Sequence, residues 1–135
     1  LGPPGAGQVC KSANQLLVSV TLLGVSEALA LARKAGLDPR AMRDALLGGS
    51  ARSFVLENHA KRIIEGNDAP GFRAELMRKD LRLASAATRD HGVFAPPTAL
   101  PAQMLEALVA SGRAGRDASS LGGLVAELSG LDRSG

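Results

Sequence analysis

Lys11, Asn14 and Gln15 follow three glycines, Gly2, Gly5 and Gly7, at the start of a long apolar segment. On a helix, residues three and four positions apart share a face, so one ammonium and two carboxamides project together from its first turns. Glycines clear space around a helix N-terminus, where free amides and the helix dipole favour an anionic group. A cation, two amides and backbone donors would then converge on one small polar ligand, with the ammonium placed to give up a proton. The glycine order is Gly-x-x-Gly-x-Gly, unlike the dinucleotide fingerprint Gly-x-Gly-x-x-Gly, and no strand precedes it. A flexible linker running into a helix with a solvated first turn fits the spacing equally well.

Other chemistry-bearing residues are more scattered. Lys79 stands in a basic run with Arg73, Arg78 and Arg82, which by itself describes a solvated helix face. His59 and His91 fit no compact ligand motif, and no Cys or carboxylate pattern completes one, so no metal site is predicted. Cys10 is the single cysteine, which excludes an intrachain disulfide; it reads as a small buried hydrophobe. Met42, Met77 and Met104 read as core fillers.

The elements that must position these residues are helical, because strict apolar alternation is nowhere sustained. The pattern predicts an all-α fold of about six helices around a long central first helix, Gln8 to Ala35, stopped by Gly36. Val9, Leu16, Leu17, Val20, Leu23 and Leu31 cover most of that helix's circumference, as for a helix surrounded by others. Asp38-Pro39 starts a second helix that ends at Gly48-Gly49. A third runs from Phe54 to Glu65, and a fourth from Arg73 to Asp90 after the Pro70-Gly71 turn. Thr98 is the predicted N-cap of a fifth, which stops at Gly112, and Asp117 caps the last. The tail from Asp132 to Gly135 reads as frayed.

The 135 residues, 45% hydrophobic and 21% charged, make one domain, residues 1–135. A net charge of +3 invites a nucleic-acid reading. Interleaved acidic residues and an aromatic content of 2% argue against that. The apolar run Leu16 to Ala32 is interrupted by Ser19, Thr21, Gly24, Ser26 and Glu27, and reads as a buried helix rather than a membrane span. Leu1-Gly2-Pro3-Pro4-Gly5 has neither a charged leader nor an apolar core, which predicts a cytoplasmic chain that begins in the middle of a longer protein.

Three segments carry a resemblance. Gly2-x-x-Gly5-x-Gly7-x-x-x-Lys11 with Asn14, then Phe72-x-x-x-x-x-x-Lys79-Asp80-Leu81 after Pro70-Gly71, then Asp117-x-Ser119-x-Leu121 resemble, in order and spacing, motifs of the β-hydroxyacid dehydrogenase family. That family includes 3-hydroxyisobutyrate dehydrogenase, tartronate semialdehyde reductase and, more distantly, 6-phosphogluconate dehydrogenase. The Pro-Gly-Phe-Arg form is most similar to tartronate semialdehyde reductases. The resemblance covers the helical C-terminal half of a family member; the N-terminal Rossmann domain is expected outside these residues. It implies an NAD- or NADP-dependent oxidoreductase acting on a small anionic hydroxy acid, and a homodimer or larger homo-oligomer. It implies Lys11 as general acid/base, Asn14 and secondarily Gln15 as substrate-binding, and Lys79 and Phe72 at the nicotinamide end of the cofactor. Asp80 would orient Lys79 or cap a neighbouring group. A stand-alone helical dimerisation module, without catalysis, is the competing reading.

Overall fold

The computed structural model describes residues 2–133. Among them are six α-helices and no strand: α1 (Ala6–Lys34), α2 (Pro39–Leu47), α3 (Ala60–Glu65), α4 (Ala74–Asp90), α5 (Ala99–Leu108) and α6 (Leu121–Leu128). The all-α architecture is thus as the periodicity predicts. Leu1 and the Ser134-Gly135 end of the tail lie outside the described residues.

Helix boundaries follow the punctuation. Gly36 adopts φ +75° and lets the Leu37 amide reach back to the Ala32 carbonyl at 2.8 Å, closing α1. Asp38 caps α2 by accepting from the Arg40 amide at 3.0 Å, with Pro39 in the first turn. Gly66, at φ +64°, closes α3 in the same way as Gly36 closes α1.

α1 is the axis of the bundle, with α4 and α6 packed along it. Leu22, Leu29, Val55, Leu56, Met77, Leu81, Leu105, Leu108 and Leu121 form one continuous core, with Met42 and Met104 half-buried against it. Ser19 and Ser26 are buried on α1, yet their hydroxyls are satisfied by the Leu16 and Leu22 carbonyls of their own helix. Small, self-satisfied side chains let neighbouring helices approach closely. On α6, Gly122 serves the same end: a Cβ there would stand 2.6 Å from Ile63.

Several expectations are corrected. Val9, Leu17 and Leu31 are 50%, 71% and 69% exposed, so α1 is covered on one side and bare on the other. Cys10 shares the exposed side and is not buried. The predicted third helix opens with a π turn, Val55–His59, before α3; Arg43 of α2 satisfies its loosened backbone by donating to the Leu56 and Glu57 carbonyls at 3.2 and 2.6 Å. Thr98 does not cap α5: it is helical itself, at the end of a 3₁₀ turn from Pro96, and its side chain makes no capping bond. Arg133 is tied down by Asp68 at 2.6 Å and Glu127 at 3.4 Å, so the described part of the tail is held. α1 is also long and apolar enough to cross a membrane, with a mean hydropathy of 1.7 over its most apolar stretch, so the interruptions do not exclude a span by composition. In this fold its Leu22, Ser26 and Leu29 face protein.

Asp117 organises the approach to α4. Its buried carboxylate accepts from the Gly71 and Phe72 amides at 2.9 and 3.0 Å, and from the Ser119 amide and hydroxyl at 2.9 and 2.6 Å. The Ala118 amide returns to the Phe72 carbonyl, so two distant loops are laced together. Burial alone would push the Asp117 carboxyl up, but the bonds from Phe72, Ser119 and Gly71 outweigh it and hold the group below the ordinary carboxylate value.

A depressed folded-state value means that Asp117 stabilises the fold fully above the unfolded-state value, about pH 4, and loses that contribution as pH falls through the folded one. Asp117→Ala should therefore cost about 3 kcal/mol at neutral pH in urea denaturation. Asp117→Asn should lose less stability than the parent between pH 5 and pH 2; equal losses would remove Asp117 from the acid response.

Candidate active site

The site lies where the first turns of α1 meet the middle of α4. On α4, Met77, Leu81 and Ala84 are buried, and Asp80, three after Met77 and four before Ala84, belongs to the same face. On α1, Gln15 stands four before buried Ser19 and seven before buried Leu22. Core packing therefore turns a carboxylate and a carboxamide toward each other. Gln15 Nε2 donates to Asp80 Oδ2 at 2.9 Å. The other oxygen, Oδ1, faces Lys11 Nζ at 3.7 Å. Asn14 Nδ2 donates to Gln15 Oε1 at 3.3 Å, which completes a four-residue cluster.

Exposure divides the cluster by role. The Asp80 side chain is 14% exposed, whereas Lys11 is 62% exposed. A carboxylate so shielded requires a donor and a counter-charge: Gln15 supplies the hydrogen bond and Lys11, at 3.7 Å, the charge. Lys11 in contrast keeps most of its surface open to an incoming molecule. Behind it, Gly5 adopts φ +94° at the start of α1, and a Cβ added at Gly5 or Gly7 would meet nothing within 4 Å. The glycines thus leave open space around the first amides of α1 rather than fitting against protein.

Sequence reasoning placed Lys11, Asn14 and Gln15 on one face, and the structure brings all three together. Their partner is Asp80, which accepts from Gln15 and faces Lys11, so of the two tasks expected of it Asp80 serves neighbouring groups and not Lys79. The signal was present, since Asp80 falls on the apolar stripe of α4 and a carboxylate there must find donors. Lys79 is exposed, next to the cluster in sequence, and makes no ion pair among the described residues. Phe72 precedes α4, roughly two turns from Asp80; its ring packs partly into the core while its amide serves Asp117.

His59 sits in the π turn, its ring edge-on to Phe54 at 5.9 Å. Burial pushes its imidazole below the ordinary value, Asp117 opposes this and Arg62 adds to it. Among the described residues no three His, Cys, Asp or Glu side chains gather as a metal site would need.

The recess that Lys11, Ser12, Gln15 and Asp80 share with Gln8 and Leu83 holds only about 20 Å³. That is room for one water rather than for an organic acid. A larger groove of about 560 Å³ opens between α4 and α5, but there Arg82 and Glu106 pair bidentately at 2.6 and 2.9 Å. The chemistry and this larger groove are in different places.

Residues 5–125 match the family model described as NAD-binding of NADP-dependent 3-hydroxyisobutyrate dehydrogenase. The chain is 41% identical over 121 residues to 2-hydroxy-3-oxopropionate reductase of Escherichia coli (strain K12), an alignment covering 90% of this chain and 41% of the relative. It is 34% identical to 2-(hydroxymethyl)glutarate dehydrogenase of Eubacterium barkeri, across 100% of this chain and 45% of the relative. A crystal structure of 3-hydroxyisobutyrate dehydrogenase from Salmonella typhimurium superposes with a TM-score of 0.84 at 26% identity, over 90% of this chain and 42% of that one. The chain spans less than half the length of these proteins.

Proposed function

This chain belongs to the 3-hydroxyisobutyrate dehydrogenase family, and on that premise we propose that it provides the proton-transfer and substrate-binding half of an NAD(P)-dependent oxidoreductase. Its substrate class is a short β-hydroxy acid or the corresponding semialdehyde, of the tartronate semialdehyde or 3-hydroxyisobutyrate type. The observation that carries this reading is the cluster itself: one open ammonium, two carboxamides and a shielded carboxylate at a glycine-cleared helix start.

The recess at Lys11 is too small for such a substrate, which fits a site completed by a second domain. A Rossmann domain preceding these residues would supply that wall and most of the dinucleotide's binding surface. Lys79, exposed and unpaired among the described residues beside Asp80, fits the polar nicotinamide end, and Phe72 offers the exposed part of its ring. When bound, the dinucleotide supplies or takes up the hydride.

In the reducing direction Lys11, as ammonium, gives its proton to the carbonyl oxygen while that carbon gains hydride; the product hydroxyl keeps the proton. In the oxidising direction the neutral amine takes the hydroxyl proton as hydride leaves the carbon. Asp80, 3.7 Å from Lys11 Nζ, holds the ammonium end beside the two carboxamides. Asn14 holds the substrate's polar groups, and the first α1 amides favour its carboxylate.

A second reading concerns assembly. Val9, Ala13, Leu17, Gly24 and Leu31 are exposed along one side of α1, spaced to form a single stripe. We propose that this stripe joins copies into a homodimer or larger homo-oligomer, with or without catalysis.

In the full-length protein, Lys11→Ala should lower kcat by about 10² to 10⁴ in hydride-transfer assays with such hydroxy acids. The variant should stay folded at a cost of no more than about 1 kcal/mol, because Lys11 is itself exposed and Gln15 still bonds Asp80. Wild-type turnover in Lys11→Ala would refute the proton-transfer role. Sedimentation of this chain should show a dimer or larger species that Leu17→Glu dissociates; a clean monomer at high concentration would refute the assembly reading.

A further inference from the structure

The orientation of both amides in the cluster follows from Asp80. An ionised carboxylate only accepts hydrogen bonds, so the end of Gln15 facing it must be the NH₂ group. That turns Gln15 Oε1, an acceptor, toward Asn14, which must answer with its own NH₂. One Asn14 N–H is thereby committed. Its carbonyl oxygen and second N–H make no side-chain bond among the described residues and are left for a ligand.

We infer that Gln15 is a positioning residue that passes the polarity of Asp80 to Asn14, so that Asn14 recognises a substrate hydroxyl rather than a carboxylate. This deepens the hydroxy-acid reading above and depends on it for the nature of the substrate. A free exposed asparagine rotates its amide by half a turn at little cost and serves either kind of group. Asn14 is not free in that way. A half-turn would set its oxygen against Gln15 Oε1, and a compensating turn of Gln15 would set that oxygen against the Asp80 carboxylate.

A hydroxyl both donates and accepts, and so matches the acceptor and the remaining donor that Asn14 presents. A carboxylate can use the N–H alone and is repelled by the oxygen. Reach matters as well. Gln15 bonds Asp80 across the seam between α1 and α4 at 2.9 Å while staying within 3.3 Å of Asn14. Asparagine at position 15, one methylene shorter, would not span the same gap from the same backbone.

The relay can be tested without catalysis. In ¹⁵N-correlated NMR spectra of this chain, Gln15→Met should shift the Asn14 side-chain NH₂ pair toward the position of a free amide. Asp80→Leu should shift the Asn14 and Gln15 pairs together. Asp80→Asn, which keeps an oxygen facing Gln15, should leave the Asn14 pair in place. An Asn14 pair that ignores both Gln15→Met and Asp80→Leu overturns the relay.

The hydroxyl assignment is tested in the full-length enzyme. Gln15→Met should raise KM for the hydroxy acid about tenfold with kcat within about twofold, and should add less than about twofold in an Asn14→Ala background. Additive losses would mean that Gln15 touches substrate itself. Inhibition by the deoxy analogue, which keeps the carboxylate and lacks the hydroxyl, should change less than about twofold in Gln15→Met; an equal tenfold loss overturns the assignment. If the spectra respond as described but no hydroxy acid is turned over, the relay stands and the catalytic reading falls.

Discussion

A carboxylate on the buried face of a helix must be answered by donors, and Asp80 is that constraint in this molecule. Its place on the Met77–Leu81–Ala84 stripe is set by core packing, and the same packing brings the Gln15 side of α1 against it. Because one oxygen is used by Gln15 and the other faces Lys11, two side chains at the start of α1 are held by a residue 65 positions away from Gln15. The candidate site is therefore a by-product of how α1 and α4 must pack, not a loop attached to them. A rigid seam suits proton transfer, where small displacements of the donor carry large costs.

Asp117 solves a similar problem one layer back. Its buried carboxylate is satisfied by backbone amides of the Gly71-Phe72 segment and by Ser119, and it ties the approach to α4 to the approach to α6. Since α4 and α6 are the two helices that flank α1, fixing their entry points fixes the seam at which Asp80 acts. Two carboxylates, one structural and one at the site, account for why the Phe72–Leu81 and Asp117–Leu121 motifs belong together. Neither motif makes sense alone: Phe72 contributes its amide to Asp117, and the helix that follows it presents Asp80.

Much of this was legible in the sequence because local rules decide it. Gly36 and Gly66 stop helices where only a positive φ serves, and Asp38-Pro39 starts one by direct capping. The errors have a common origin in tertiary context. Apolar residues around most of α1 suggest a helix surrounded by others, but Val9, Leu17 and Leu31 face outward because α4 and α6 pack along one side. Thr98 has the composition of a cap, yet the preceding prolines continue into a 3₁₀ turn and draw it inside the helix. The π turn before α3 depends on Arg43 reaching in from α2, a contact no local pattern reveals. For the site, spacing placed Lys11, Asn14 and Gln15 on one face but could not name Asp80, since pairing across two helices requires their register.

As proposed, Lys11 is the mobile-proton partner of a fixed carboxylate. Chemical rescue separates that role from a fixed positive charge most directly: the full-length Lys11→Ala enzyme is assayed with increasing concentrations of small primary amines, beside Lys11→Arg. Proton transfer predicts a saturable recovery of turnover by the amines, graded with their basicity, and little activity in Lys11→Arg. Full activity in Lys11→Arg with no recovery by any amine would contradict it and reduce Lys11 to a fixed positive charge.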